Sequence, residues 1–224
     1  LTQAAQHGGR QVMGKGAVPA IQAGKGRGRG HCLIERPFAA DHVLKHVQGG
    51  GPGVDAPGCP ADDALRRAAN TTAAPLFKVL NQVAAELEPT HPHVRIKTLA
   101  YNAALEYKPA LGTLHPNVLI QLCESGLDMS APLVDPRNAR WLTRVQDWLG
   151  ASSSLWIWSY TESYSLLPNA NHFSIGDDIS HLAKLGVRGY FAEGDGTPTK
   201  DLLKHYLIGR KTLDPSLDTN ATIR

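Results

Sequence analysis

The chain has 224 residues, of which 42% are hydrophobic and 19% are charged, and these proportions exclude both a wholly disordered chain and a membrane protein. Residues 1–58 hold 13 of the 22 glycines and a single aromatic residue, Phe38. Seven basic and three acidic residues give this segment a net charge of +4, whereas 16 basic and 17 acidic residues give residues 59–224 a net charge of −1. The total of +3 therefore belongs to the first quarter of the chain, and a single uniform globular domain is excluded.

The glycine-rich segment, residues 1–58, is predicted to be a low-complexity, disordered leader. Glycine alternates with basic residues from Gly24 to Gly30, and no apolar side chain is present there to offset the entropy lost on ordering. One interpretation is an arginine–glycine arm that binds phosphates. The other, which we favour, is a disordered or non-native leader, because no aromatic residue is interleaved for base stacking. We therefore do not expect a nucleic-acid partner.

Signals of cellular location are sparse, so the location is not predicted. No apolar run reaches the ~18 residues of a membrane span, no signal peptide is visible, and no membrane association is expected. Cys32, Cys59 and Cys123 are too widely spaced to indicate a disulfide framework or a zinc site. Two glycosylation sequons, at Asn70 and Asn220, are compatible with secretion without establishing it. The chain does not begin with Met, and we expect it to be a fragment.

From residue 60 onward, helical and strand patterns alternate. Apolar residues recur at helical spacing between Pro75 and Pro89, which predicts a helix bounded by these prolines. In chain order, the pattern then predicts strands at 93–101 and 117–122, a helix at 138–149, a strand at 154–160, a helix at 177–185, a strand at 187–193 and a helix at 199–208. Strands that alternate with helices predict an α/β fold with a parallel sheet.

Residues with useful chemistry follow each predicted strand. The strand ends run into Tyr101-Asn102, Cys123-Glu124, Trp158-Ser159-Tyr160 and Glu193-Gly194-Asp195. Parallel α/β enzymes place their ligand-binding groups at the carboxyl edge of the sheet, so we expect a site at this edge. Four strands are half of an eight-stranded barrel, and a complete barrel takes roughly 250 residues.

Seven segments follow one another in a distinctive order: FKVLNQVAAEL, IKTLAY, PNVLIQLC, WLTRVQDWLG, LWIWSYTESYSLLPNAN, LGVRGYFAEGDG and LLKHYLIGRKTLDPSLD. Their succession resembles the C-terminal part of uncharacterised glycoside-hydrolase-like barrel proteins. These proteins are described as a domain of unknown function and are related to α-glucuronidases and β-N-acetylhexosaminidases. The resemblance covers residues 60–222. It implies the C-terminal half of a (β/α)8 TIM-type barrel that acts on carbohydrate, or that descends from enzymes that do.

The sequence departs from this family pattern at two points. Ser159 stands where the family usually has Asp, which is expected to weaken a polar contact at that strand end. The relatives with known chemistry carry their general acid on or near the fourth barrel strand, which would lie upstream of residue 60 and is not recognisable here. The resemblance therefore leaves the catalytic competence of this chain open.

Carboxylates are the first candidates for a sugar site. Glu193 leads, because it follows an apolar strand and precedes Gly194 at the mouth of the implied barrel. Glycosidases need two carboxyl groups roughly 5–10 Å apart, and Glu124 or Glu162 is the candidate for the second. Asp195 is a candidate substrate-binding residue. Each of these residues has a structural alternative, as a loop or turn residue without a ligand.

Aromatic residues supply the other candidates for sugar binding. Trp158 and Tyr160 share one face of a strand and would form a platform for a pyranose ring, whereas Trp156 is expected to pack in the core. Tyr101 and Asn102 are candidate hydrogen-bonding partners of sugar hydroxyls, with a capping role as the alternative. No metal site and no cofactor are predicted.

The leading functional hypothesis is a glycoside-hydrolase-like protein that binds a sugar or a uronic acid at the carboxyl ends of its strands. The alternative is a non-catalytic carbohydrate-binding or interaction module, which would keep the aromatic platform and lack the acid. Nucleic-acid binding through the leader is the third and least favoured hypothesis. The oligomeric state is not predicted.

Overall fold

The computed structural model of the protein describes residues 59–161, 171–193 and 202–224, and the structural statements below concern these residues. They form six α-helices and four β-strands. In chain order the elements are α1 (Pro60–Ala69), α2 (Ala74–Leu87), β1 (Ile96–Ala100), β2 (Val118–Cys123), α3 (Ala139–Ala151), β3 (Leu155–Ser159), α4 (His172–Leu185), β4 (Gly189–Ala192), α5 (Leu202–Leu213) and α6 (Thr219–Ile223).

The four strands form one parallel sheet in the order β1-β2-β3-β4. The register aligns Leu99 with Gln121, Cys123 with Trp158, and Trp158 with Phe191. Because successive side chains of a strand point to opposite faces, residues aligned in this way lie on the same face of the sheet. The spatial order of the strands follows the chain order, and right-handed crossovers then place the connecting segments on one side.

The main hydrophobic core lies between α2, α3 and α4 and one face of the sheet, which we call the helix face. Trp148 of α3 is fully buried in this core. Its ring centroid lies 5.4 Å from that of Phe77 and 5.5 Å from that of Tyr107. Its indole N–H donates to the carbonyl oxygen of Leu105 at 3.0 Å. The helix face is therefore a close-packed interior in which even the polar edge of a tryptophan has a partner.

The opposite face of the sheet, which we call the second face, is rich in aromatic residues on β3 and β4. Trp156 is half-buried, and its indole lies across Gly189 of β4. A Cβ atom added to Gly189 would lie 2.4 Å from the Cδ2 atom of Trp156. Only glycine fits beside this indole, because real Cβ atoms do not approach other heavy atoms so closely. Trp156 was expected to pack in the core, and its indole packs on the neighbouring strand β4.

The four predicted strands and the four predicted helices are confirmed, with shifted ends. Helix α4 begins at His172, five residues before the predicted start, and ends at Leu185; its C-cap is Gly186, whose φ of 108° suits glycine. Ile175 continues the helical spacing of Ile179 and Leu182, so the apolar pattern begins before the predicted start. No α-helix joins β1 to β2; two short 3-10 turns, Asn102–Ala104 and Pro109–Leu111, make this crossover.

Two helices were not predicted, and α1 shows why. It has four charged residues among its ten and a single large apolar residue, Leu65, so no stripe of large apolar side chains marks it in the sequence. Acidic residues occupy its first turn and basic residues its last turn, an arrangement that the helix dipole favours. Arg66 pairs with Asp63 at 2.9 Å. Cys59, at the N-terminal end of this helix, is disulfide-bonded, which the cysteine spacing did not indicate because pairing depends on distance in space.

The predicted α/β fold with a parallel sheet is confirmed, whereas the half-barrel stays a prediction. Residues 1–58, predicted to be a disordered leader, lie outside the described residues. None of the described helices combines the length and the apolar character needed to cross a bilayer.

Candidate functional site

The carboxyl edge of the sheet brings together the polar residues that follow the strands. Tyr101 follows β1, Glu124 follows β2, Tyr160 follows β3 and Glu193 follows β4. Backbone hydrogen bonds extend the strand pairing to these positions: Glu124 N–H donates to Trp158 O at 2.9 Å, and Glu193 N–H donates to Ser159 O at 2.8 Å. The alternation of side chains therefore continues past the strand ends and divides the edge into two groups.

The first group lies on the second face and is centred on Trp158. The indole N–H of Trp158 donates to Oε2 of Glu193 at 2.7 Å. The Trp158 ring also packs on Phe191, with ring centroids 4.4 Å apart and the planes tilted by 46°. Trp158 and Glu193 are both half-buried, and Phe191 is 41% exposed. The edge of the second face thus presents an aromatic surface beside a carboxylate.

Three further residues extend this group across β1, β2 and β3. Burial raises the pKa of the Cys123 thiol to about 11, against a hydrogen bond with Tyr160 that lowers it. Burial also raises the pKa of Tyr160, and its neighbours Cys123 and Tyr101 add to the rise. Tyr101, Tyr160 and Cys123 therefore form a connected polar row, in which Tyr160 and Cys123 are protonated at neutral pH. Such groups are hydrogen-bond donors and acceptors without charge.

Hydrogen bonds from Thr161, and through it from Lys204 of α5, stabilise the backbone at Glu193. The hydroxyl of Thr161 donates to the carbonyl oxygen of Glu193 at 3.0 Å. The ammonium group of Lys204, which is buried, donates to the carbonyl oxygen of Thr161 at 2.8 Å. These contacts join the ends of β3 and β4, so the positions of Trp158 and Glu193 are fixed relative to each other.

The second group lies on the helix face and is centred on Glu124, which is 7% exposed. The Ser159 hydroxyl donates a short hydrogen bond to Oε2 of Glu124. Burial raises the pKa of Glu124 to about 8; hydrogen bonds from the Ser159 hydroxyl and the Tyr160 backbone oppose the rise, and the charge of Asp178 adds to it. The carboxyl group of Glu124 is therefore protonated at neutral pH.

Asp178 and Tyr190 complete the group on the helix face. Oδ1 of Asp178 accepts the backbone N–H of Leu133 at 2.7 Å. Burial raises the pKa of Asp178 to about 6, in spite of this hydrogen bond. Burial also raises the pKa of Tyr190 well above its ordinary value, and the charges of Glu124 and Asp178 act in the same direction. The helix face thus holds two carboxyl groups in an environment that disfavours their charge.

The structure unites some of the candidate residues and separates others. Trp158, Tyr160, Tyr101 and Glu193 gather at the edge of the second face. Glu124 lies on the opposite face of the sheet, although it directly follows Cys123, which aligns with Trp158. Three other candidates fall elsewhere: Asn102 begins the turn after β1 with a φ of 49°, a conformation that Asn tolerates, and Glu162 and Asp195 lie outside the described residues.

Sequence reasoning missed Asp178 and Tyr190 and undervalued Ser159. Asp178 lies within a helix and Tyr190 within a strand, so no motif distinguishes them from ordinary surface and core residues. The hydroxyl of Ser159 binds Glu124 directly, and the expectation of a weakened polar contact at this position stays a prediction. Among the described residues, no three His, Cys, Asp or Glu side chains are grouped so that they could hold a metal ion.

Comparison with known proteins identifies one family. The sequence model of DUF4838, a domain of unknown function, matches residues 56–224. A search of curated proteins and a search of solved structures give no match.

Proposed function

The chain belongs to the DUF4838 family, and on that premise we propose that it binds carbohydrate at the carboxyl edge of its sheet, on the second face. The observation that carries this proposal is the contact between Trp158 and Glu193: a half-buried indole whose N–H is held by a carboxylate at 2.7 Å. The sequence resemblance to glycoside-hydrolase-like proteins points in the same direction.

The chemistry of this edge suits a pyranose ring. One face of a pyranose carries mainly C–H groups and packs on an aromatic ring, while its hydroxyl groups need donors and acceptors. Trp158 and Phe191 supply aromatic surface, Glu193 supplies a carboxyl group, and Tyr160 and Tyr101 supply hydroxyl groups. Because the backbone contacts behind Glu193 already fix the pair, little conformational entropy would be lost on binding. The ligand class is a sugar or a uronic acid.

We also propose that the four-stranded sheet is part of a (β/α)8 barrel. Strands that are all parallel and follow one another in sequence, with the packed core on one face, are the arrangement of a barrel segment. In a barrel, the second face would be the interior and its carboxyl edge would be the mouth, where such folds keep their sites. A small-angle scattering profile and a crystal structure of a longer form of the protein would test this architecture.

The placement of the carboxyl groups favours binding over hydrolysis by this chain. A glycosidase brackets the scissile bond with an acid and a base or nucleophile roughly 5–10 Å apart. Glu124 is protonated and so has the state of an acid, but its side chain points to the helix face and hydrogen-bonds with Ser159. Glu193 points to the second face. This separation supports the alternative of a non-catalytic carbohydrate-binding or interaction module.

Calorimetric titration with a panel of neutral sugars and uronic acids tests the binding proposal. The wild type should bind at least one member, and Trp158→Ala should weaken binding about tenfold or more by removing the platform. Glu193→Gln, which keeps an acceptor for the indole N–H, should weaken it less. Tyr206→Ala removes an exposed aromatic residue of α5 and should leave the affinity unchanged. A folded wild-type protein that binds no sugar of the panel would overturn the proposal.

Hydrolysis of an activated aryl glycoside separates the enzyme from the module. The module predicts no turnover by the wild type. Turnover that disappears in both Glu193→Gln and Glu124→Gln would instead establish a glycosidase in which both carboxyl groups take part.

A further inference from the structure

A small cavity lies on the helix face, behind the carboxyl ends of β2, β3 and β4 and beneath α3 and α4. Its volume is about 20 Å³. Seven residues with polar side-chain atoms line it: Glu124, Trp141, Ser159, Asn171, Ser174, Asp178 and Tyr190. Apolar side chains, among them Leu133 and Leu182, form the rest of the lining. The cavity is on the opposite side of the sheet from the proposed sugar site, so what occupies it is a separate question.

Two buried polar atoms of residues that line this cavity have no hydrogen-bond partner among the described residues. One is Nε1 of Trp141, a side chain that is only 1% exposed, and the other is Oδ1 of Asn171. The first is a donor and the second is an acceptor. Leaving such atoms unpaired away from water costs about 1–3 kcal/mol each, so native proteins almost always satisfy them.

The nature of the missing partner follows from the groups around it. A metal cation would be repelled by the indole N–H of Trp141, and an anion would be repelled by Oδ1 of Asn171 and by the carboxylate of Asp178. A molecule that both accepts and donates meets both demands. A water site needs about 10–15 Å³ and two to four polar partners. The cavity of about 20 Å³ offers room for a water molecule.

We propose that this cavity is a binding site for one resident water molecule, which accepts the indole N–H of Trp141 and donates to Oδ1 of Asn171 and to the carboxyl group of Asp178. This water connects Trp141 of α3 with Asn171, which precedes α4, and with Asp178 of α4. Because Asp178 also accepts the backbone N–H of Leu133, the water is linked to the β2–α3 connection as well. It is therefore part of the folded structure rather than surface hydration, and it completes the hydrogen bonding of a carboxyl cluster that has no basic partner among the described ion pairs.

Nuclear magnetic resonance on the whole chain tests the site directly, with Trp148 as a matched control. Both indoles are fully buried, but the N–H of Trp148 already donates to the carbonyl oxygen of Leu105. The indole proton of Trp141 should show a cross-relaxation signal with a long-lived water molecule, and that of Trp148 should show none. Trp141→Phe and Trp148→Phe assign the two signals. Equal signals from both indoles, or none from Trp141, would contradict the proposal.

A crystal structure of the wild-type chain gives an independent outcome. We expect one electron-density peak about 2.7–3.2 Å from both Nε1 of Trp141 and Oδ1 of Asn171. An empty cavity, a peak with the short contacts of a metal ion, or an indole N–H bonded to a protein oxygen would each overturn the assignment. The proposed sugar binding is tested separately by the titration with sugars, and its outcome is independent of these two measurements.

Discussion

The two faces of the sheet place glutamate residues in opposite environments. On the helix face, Glu124 is buried, bonded by the hydroxyl of Ser159 and kept protonated by the loss of solvent. On the second face, Glu193 is half-buried and bonded by the indole N–H of Trp158, beside an aromatic surface. The two glutamates follow β2 and β4, the strands on either side of β3, and the difference comes from the alternation of side chains along the strands. The alternation of side chains along a strand decides whether a carboxyl group points into the interior or toward a surface that a ligand can reach.

The tryptophans of the two faces offer the largest test of this comparison. Trp148→Ala removes a fully buried ring from the helix-face core and its bond to Leu105, and we expect a loss of about 3–5 kcal/mol in the free energy of unfolding. Trp158→Ala removes a half-buried ring from the second face and should cost about 1 kcal/mol. Urea unfolding of both variants measures the difference. Equal losses would mean that the second face is a core as tightly packed as the first.

Gly189 tests the packing of the second face at a smaller scale. In Gly189→Ala, the new Cβ atom would lie 2.4 Å from the Trp156 ring, and moving that indole should cost about 1–3 kcal/mol. The control is Gly150→Ala in α3, where an added Cβ atom meets nothing within 4 Å. This change should raise stability by up to about 1 kcal/mol, because alanine favours a helix. Thermal unfolding of the two variants compares them, and a neutral Gly189→Ala would refute the steric argument.

Glu124 makes stability depend on pH, and the sign follows from burial. The pKa of Glu124 is about 8 in the folded chain against 4.5 for an ordinary glutamate, so between these values the folded state binds more protons than the unfolded state. The contribution of Glu124 to stability is therefore greatest at low pH and falls as pH rises toward 8, with a slope of about 1.4 kcal/mol per pH unit between the two pKa values. Glu124→Gln should remove this slope, as measured by urea unfolding between about pH 6.5 and 8.

Asp178 provides the internal control for that experiment. Its pKa of about 6 gives the same sign at lower pH, and this part of the dependence should persist in Glu124→Gln. Identical profiles for the variant and the wild type across the whole range would show that Glu124 is ionised in the folded chain.

The last test of the helix face is Ser159→Ala. The substitution removes a donor to a carboxyl group that is already protonated at neutral pH, and we expect a loss of about 1–2 kcal/mol. Because the hydrogen bond from Ser159 lowers the pKa of Glu124, the same variant should shift the fall in stability to higher pH. A shift to lower pH would contradict this account of the helix face.

The sequence predicted the elements whose burial leaves a regular apolar pattern. Helix α2 has an apolar stripe between two prolines, and β2 is buried at every position, so both were located from their residues alone. Helix α1 has a single large apolar residue and charges in its first and last turns, and the β1–β2 crossover consists of two 3-10 turns, so neither leaves a stripe of large apolar residues in the sequence. The parallel sheet followed from the alternation of elements, whereas its strand order required coordinates.

The sequence predicted where the candidate site lies, but not that its residues are divided between the two faces of the sheet. The polar residues after each strand indicated the carboxyl edge, and the identity of Trp158 and Glu193 indicated their chemistry. That Glu124 and Glu193 point to opposite faces depends on the register between strands, which single-strand patterns do not contain. The role of Asp178 depends on a contact with Leu133, 45 residues away in the chain, and no local signal encodes such a distance.

The indole that lies across Gly189 also limits how this family can change over evolutionary time. A mutation that gives position 189 any side chain is penalised while position 156 carries tryptophan, and a loss of the tryptophan opens a gap above the glycine. The two positions are thus expected to change as a pair, with the smaller residue at 156 appearing first. Across members of the family, a residue larger than glycine at 189 should therefore occur only together with a residue smaller than tryptophan at 156.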